Sequence, residues 1–333
     1  MDAGTLRADL VLGGGAVKGI GLVGAIAALT DAGYRPYRIS GTSAGAIYGS
    51  LAAAGLTGDR FTRAALSLDF ERSTDPVPLD RIPLFGPGLA LLGDDGLYQG
   101  RYFHDWIAGL LEQEGVRTFA DLALDDPSLP PERRYKLVVT CADVTLGRLV
   151  RLPWDYRAVY GLDPDRQSVA DAVRASMSVP LLFRPATLTN PATGLRSTLV
   201  DGGFVSNFPI DSLDRTDGKQ PRWPTFGITV LPDLPGADST ILPEWTGRIT
   251  PKPLRLLERV LATSLVGHDQ AYLHQPWVAA RAILVDTTSV GFTDFSIDQA
   301  QTEELYDHGV EAAERFLKTW DWQAYLDRFR PGT

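Results

Sequence analysis

The 333-residue chain has a single cysteine, Cys141, and one thiol excludes an internal disulfide framework. It lies in the apolar stretch YKLVVTCADV and reads as a small buried hydrophobe. Basic charge is also scarce, with 32 Lys and Arg against 41 Asp and Glu, a net charge of −9. This balance argues against a nucleic-acid partner, because phosphate backbones select basic surfaces, and it repels anionic membrane wherever no local patch reverses it. Apolar runs long enough to span a bilayer are missing. The opening MDAGTLRADLVLGGG starts acidic and reaches glycines after a short apolar run, unlike a secretory signal. The expectation is a soluble, cytoplasmic protein. Linker-like runs, repeats and low-complexity tracts are lacking too, so residues 1–333 read as a single domain.

What the sequence does have is enough apolar content, 44% of residues, for a large core, and an alternation of strand and helix patterns. Strands are expected over residues 10–12, 37–39, 135–143, 148–152, 197–201, 225–230 and 282–286. Helices are expected over 20–32, 44–54, 168–177, 253–274 and 299–319. Such alternation predicts an α/β fold with a largely parallel central sheet and helices on both faces. Residues 75–96, rich in proline and glycine, read as a long loop.

Within ISGTSAGAIYGSLAAAG, Ser43 sits between Gly41 and Gly45 at the turn from a strand into a small-residue helix. The G-x-S-x-G pattern in strand–turn–helix context matches a nucleophile elbow, where glycines admit a strained backbone and the hydroxyl projects from a helix N-terminus. A plain N-capping serine would occupy the same position.

Two further glycine clusters fall at predicted strand ends, where open α/β sheets bind ligands. The first, LVLGGGAVKGIG, fails as a P-loop because Lys18 is followed by Gly19 and Ile20, and it fails as a dinucleotide fingerprint at Lys18 or Ala16, according to register. What remains is a run of unhindered amides at a helix start, able to hold an oxyanion, with Lys18 adding charge nearby. The other, STLVDGGFVSNFPI, ends a strand at Asp201, a candidate general base for Ser43 if the two lie within hydrogen-bond reach. A bare Asx turn is the alternative.

Together GGGAVKG, GTSAG, ASMSVPLLFRP and DGGFVSNFP, in this order over residues 9–209, resemble the patatin-like phospholipases, and GLYQGRYFHDW and VDTTSVGFTDFSI are similar to other parts of such domains. Residues 210–333 would complete the sheet and add C-terminal helices. The resemblance implies a Ser43–Asp201 dyad, an oxyanion hole from the amides around Gly14, Gly15 and Ala16, anion or headgroup contact at Lys18, and hydrolysis of lipid acyl esters with no metal or organic cofactor. The family's loop usually has a third glycine and an arginine where this chain has Ala16 and Lys18; lysine keeps the charge but loses the bidentate fork.

A Ser–Asp–His triad is formally open through His268, His274 or His308, but each falls on a predicted helix without a glycine-rich turn, as does His104. A non-catalytic lipid-binding protein on the same fold is a further alternative. For contact with a membrane surface, residues 82–93 (IPLFGPGLALLG) suit a mobile lid or a buried loop. Arg255 and Arg259 lie a turn apart on the helix predicted there, and the aromatic C-terminus FLKTWDWQAYLDRF suits either lipid contact or a homodimer.

Overall fold

The computed structural model describes residues 6–70, 72, 98–230, 260, 263–264, 267, 269, 272–292 and 294–330. The loop expected over 75–96, including residues 82–93, lies outside the described residues, and so do Arg255, Arg259, His268 and most of the helix expected over 253–274.

The strands are β1 (Leu6–Leu12), β2 (Tyr34–Thr42), β3 (Leu137–Asp143), β4 (Arg148–Leu152), β5 (Ala186–Thr189), β6 (Arg196–Asp201), β7 (Thr225–Thr229) and β8 (Ala282–Leu284). The helices are α1 (Ile20–Asp31), α2 (Ala44–Ala53), α3 (Gly58–Leu66), α4 (Arg101–Gln113), α5 (Trp154–Tyr160), α6 (Val169–Ser176), α7 (Pro276–Ala279), α8 (Gln299–Thr319) and α9 (Trp322–Phe329). The strands form a sheet in the order β5-β6-β3-β2-β1-β7-β8, with β4 also paired to β3.

The fold is α/β. Its centre is parallel, β3-β2-β1-β7-β8, and the flank built by β4, β5 and β6 is antiparallel. Hairpin connections, Asp143 to Arg148 and Thr189 to Arg196, account for the β3–β4 and β5–β6 pairs of that flank, since a short turn can only reverse a strand. Alternation along β1 supplies both faces. Leu10 and Leu12 join the main core with Leu22, Val23 and Ile26 of α1, while Val11 packs on the other face with Phe208, Ile210, Leu213 and Val278 of α7.

Several elements extend beyond the sequence expectation. β2 begins at Tyr34 and runs through Pro36, which lies opposite Ala8 next to a register shift, the kind of place where a strand tolerates proline. α3, α5 and β5 were not expected, and α4 was expected only around His104. α4 carries its signal in Phe103, Ile107 and Leu111, buried at four-residue intervals.

One feature of the sheet positions the site. β3 pairs with three strands, and β4 overlaps both of the others along it, β2 at Val139 and Thr140 and β6 from Cys141 to Asp143. A strand has two edges, so β2 and β6 must share the edge opposite β4. The last β2 rung is Thr42–Thr140 and the next rung along is Asp201–Cys141. The ends of β2 and β6 therefore meet head on.

Candidate active site

Ser43 follows the last residue of β2 and precedes α2, with φ 51° and ψ −120°. A non-glycine residue there is strained, at a cost of roughly 1–3 kcal/mol, and persists only where its surroundings hold it. Those surroundings can be named. The Ser43 amide donates to Ser176 Oγ at 2.8 Å, and Ser176 Oγ in turn donates to the Thr140 carbonyl at 2.7 Å. The flanking glycines let α2 close on both β2 and β1: a Cβ on Gly41 would lie 2.4 Å from the Gly45 carbonyl oxygen, and one on Gly45 would lie 2.3 Å from that of Leu12 in β1. Neither backbone could yield without opening the sheet. Ser43 is only 7% exposed.

Asp201 ends β6 and is 1% exposed. Its amide donates to the Ser178 carbonyl at 2.9 Å, and its Oδ1 accepts from the Gly203 amide at 2.8 Å. Burial pushes the carboxyl up to about 7, against the opposing pull of the Ser43 hydroxyl and the Gly203 amide. Among the described residues Oδ2 is buried with no hydrogen-bond partner, so the carboxylate keeps an acceptor atom uncommitted beside the Ser43 turn.

The glycine loop lies beside this pair, for a Cβ on Gly14 would touch Ser43 Cβ at 3.0 Å. Its amides are not equivalent. Gly13 donates to Ile228 O at 2.9 Å and Gly14 to Asn207 Oδ1 at 3.0 Å, so the expectation that Gly14 offers a free donor is corrected. Among the described residues no acceptor meets the N–H of Gly15 or Ala16. Ala16 has φ 47°, a left-handed conformation, at the position where the loop of the resembled family usually has a third glycine. Lys18 is half-buried; burial lowers its pKa and the nearby Asp286 carboxylate opposes that shift.

The residues that hold these groups were not singled out from the sequence. Ser176, Ser178 and Asn207 fall inside the quoted segments ASMSVPLLFRP and DGGFVSNFP, but nothing in their identity distinguished brace from filler. Arg174 ties Ser178 down, donating to its Oγ at 2.6 Å and to the Gln99 carbonyl at 2.6 Å.

The described histidines stand elsewhere. His104 bridges Asp105 at 3.1 Å and Asp171 at 2.9 Å, His308 contacts the Asp286 carbonyl at 3.0 Å, and His274 is exposed. Among the described residues no cluster of three metal-ligating side chains occurs, and no helix is long and apolar enough to cross a membrane.

A family model described as patatin-like phospholipase matches residues 10–214. The chain belongs to the patatin-like phospholipase family. Among its relatives is the uncharacterized protein YqhO of Bacillus subtilis (strain 168), 32% identical over 323 residues, covering 94% of this chain and 99% of that protein. An uncharacterized NTE family protein of Mycobacterium tuberculosis (strain CDC 1551 / Oshkosh) is 27% identical, covering 87% of this chain and 44% of that protein. The crystal structure of VipD from Legionella pneumophila aligns with a TM-score of 0.52 at 17% identity, covering 95% of this chain and 67% of that one. VipD shares the fold of this patatin-like chain, and the matched residues 10–214 contain both Ser43 and Asp201.

Proposed function

We propose that the chain is a lipid acyl hydrolase of phospholipase A type, working through a Ser43–Asp201 dyad and an acyl-serine intermediate. The observation that carries this reading is the end-to-end meeting of β2 and β6, which sets a strained, buried serine beside a buried carboxylate. The patatin-like family match supports the substrate class.

In the proposed reaction, Asp201 takes the proton of Ser43 Oγ as that oxygen attacks the ester carbonyl. The resulting oxyanion faces the free amides of Gly15 and Ala16 and the N-terminal end of α2, and each lost donor of this kind costs roughly 3–4 kcal/mol of barrier stabilisation. Collapse breaks the ester bond, and the leaving alcohol takes the proton from Asp201. Water then attacks the acyl-serine, Asp201 accepts its proton, and the fatty acid departs as Ser43 is restored. Gly41 and Gly45 serve the elbow by absence of side chain. Lys18 supplies positive charge at the loop, available to a headgroup at a membrane surface touched transiently from the cytoplasm.

The test is labelling with a serine-directed fluorophosphonate, mapped by mass spectrometry, beside fatty-acid release from mixed phospholipid vesicles. An adduct on Ser43 and release that vanishes in Ser43→Ala and Asp201→Asn are expected. Sustained turnover in either variant overturns that residue's role, and lipid binding without adduct or release would assign a non-catalytic lipid-binding protein.

A further inference from the structure

A cavity of about 410 Å³ opens at the end of the sheet where β7 begins, walled by residues 127–134 before β3 and 213–223 before β7. Glycine loop and dyad lie at the opposite ends of β1 and β2. In a chain of net charge −9, this cavity is lined by Arg38, Arg133, Arg134, Arg215 and Arg222 against three aspartates. The volume falls within the range of small-molecule sites.

The floor is a buried charge. Arg38 is 6% exposed, and its Nη2 donates to Asp9 Oδ2 and, at 2.8 Å, to the Leu213 carbonyl. Its Nε is sealed from the cavity and has no hydrogen-bond partner among the described residues. A guanidinium brought this deep is costly unless it is paired, and here Asp9 and the Leu213 carbonyl hold it at the base of the cavity. At the walls, Arg222 and Arg215 are each paired, with Asp126 and Asp217, but Arg133 and Arg134 have no carboxylate partner among the described residues. Arg133 lies 5.0 Å over the Trp154 ring, and Arg134 donates to the Leu129 carbonyl at 2.9 Å. Arg222 is stacked 4.1 Å over Trp223, which holds its plane against the wall.

We infer that this cavity is a second ligand site, distinct from the Ser43 region, for a small soluble molecule bearing a phosphate group. Several forked donors converging on one recess suit a tetrahedral dianion, which accepts from more than one guanidinium at once. The site rests on Arg38 and the wall arginines alone and does not depend on the hydrolase reading.

The test is calorimetric titration of the full chain with inorganic phosphate and with glycerol phosphate, at constant ionic strength set by chloride so that general screening is matched. Saturable one-site binding is expected, weakened about tenfold or more by Arg133→Glu, whose half-buried side chain lies over Trp154 and pairs with no carboxylate among the described residues. Arg38→Lys, which keeps charge but not the fork, is expected to weaken it as well. The site is overturned if phosphate gives no more heat than chloride, if Arg133→Glu binds as the parent does, or if only vesicles carrying a phosphoinositide bind.

Discussion

Asp201 stands on the rung of β3 that Ser43 would occupy if β2 ran one residue further: Thr42 pairs with Thr140, and Cys141, the next residue, pairs with Asp201. β2 cannot continue along that edge, so its chain turns away at Ser43, where the backbone enters its strained conformation. The spacing of serine and carboxylate is thereby fixed by main-chain hydrogen bonds of a sheet, the least deformable part of the fold.

A pH limb follows from the carboxyl. Burial lifts Asp201 to about 7, and a base must lose its proton before it can accept one. Under the proposed mechanism, kcat/KM rises with pH on a single limb with an apparent pKa near 7 and levels above it. Initial rates on a soluble ester, taken from about pH 5 to about pH 9, check this. A profile flat through that range would remove Asp201 as the base.

The same shift reaches stability, with its own sign. The folded-state value of about 7 exceeds the ordinary 3.8, so the folded protein holds this proton more tightly than the unfolded chain. That contribution is fully present below about pH 4 and is lost as pH rises toward 7. Asp201→Asn removes the buried charge while keeping an acceptor for Gly203. The variant is expected to be more stable than the parent above pH 7, by on the order of 2 kcal/mol, with the difference shrinking toward pH 4. Urea melts at the two pH values measure it.

Ser176 is a positioning residue for the elbow. Ser176→Ala would leave the buried Ser43 amide and Thr140 carbonyl without their shared partner, costing about 1–3 kcal/mol. A nucleophile displaced by a fraction of an ångström loses alignment more than affinity, so kcat is expected to fall roughly tenfold or more with KM little changed. Equal losses in kcat and fluorophosphonate labelling rate would confirm displacement; an unchanged labelling rate would assign Ser176 to stability alone.

Much of this architecture was legible because backbone demands leave marks in sequence. Gly41 and Gly45 flag a close approach, and Leu10, Val11 and Leu12 flag a strand covered on both faces. The antiparallel flank was less visible: β5, with half-buried and exposed residues alternating, has no apolar run to announce it. Braces were invisible for a different reason. Ser176 and Asn207 act through partners 133 and 193 residues away, and a polar residue declares a long-range bond only once the topology is known. That blindness also hid the engagement of Gly14, which Asn207 takes from both sides.

Ala16 offers a last test, because conformation and chemistry there can be separated. Its φ of 47° costs an L-residue about 1–2 kcal/mol, while glycine avoids that strain and loses somewhat more chain entropy on folding, about 0.5–1 kcal/mol. Ala16→Gly keeps the amide that the proposed oxyanion hole uses and removes only a half-buried methyl group. Its expected effect is therefore a gain of about 0.5–1 kcal/mol in urea unfolding, with turnover retained. A loss of stability would mean that packing of the methyl outweighs the strain. A loss of turnover with stability gained would mean that the strain itself holds the Gly15 and Ala16 amides on target, which is the one outcome that would explain why alanine stands where a glycine folds more easily.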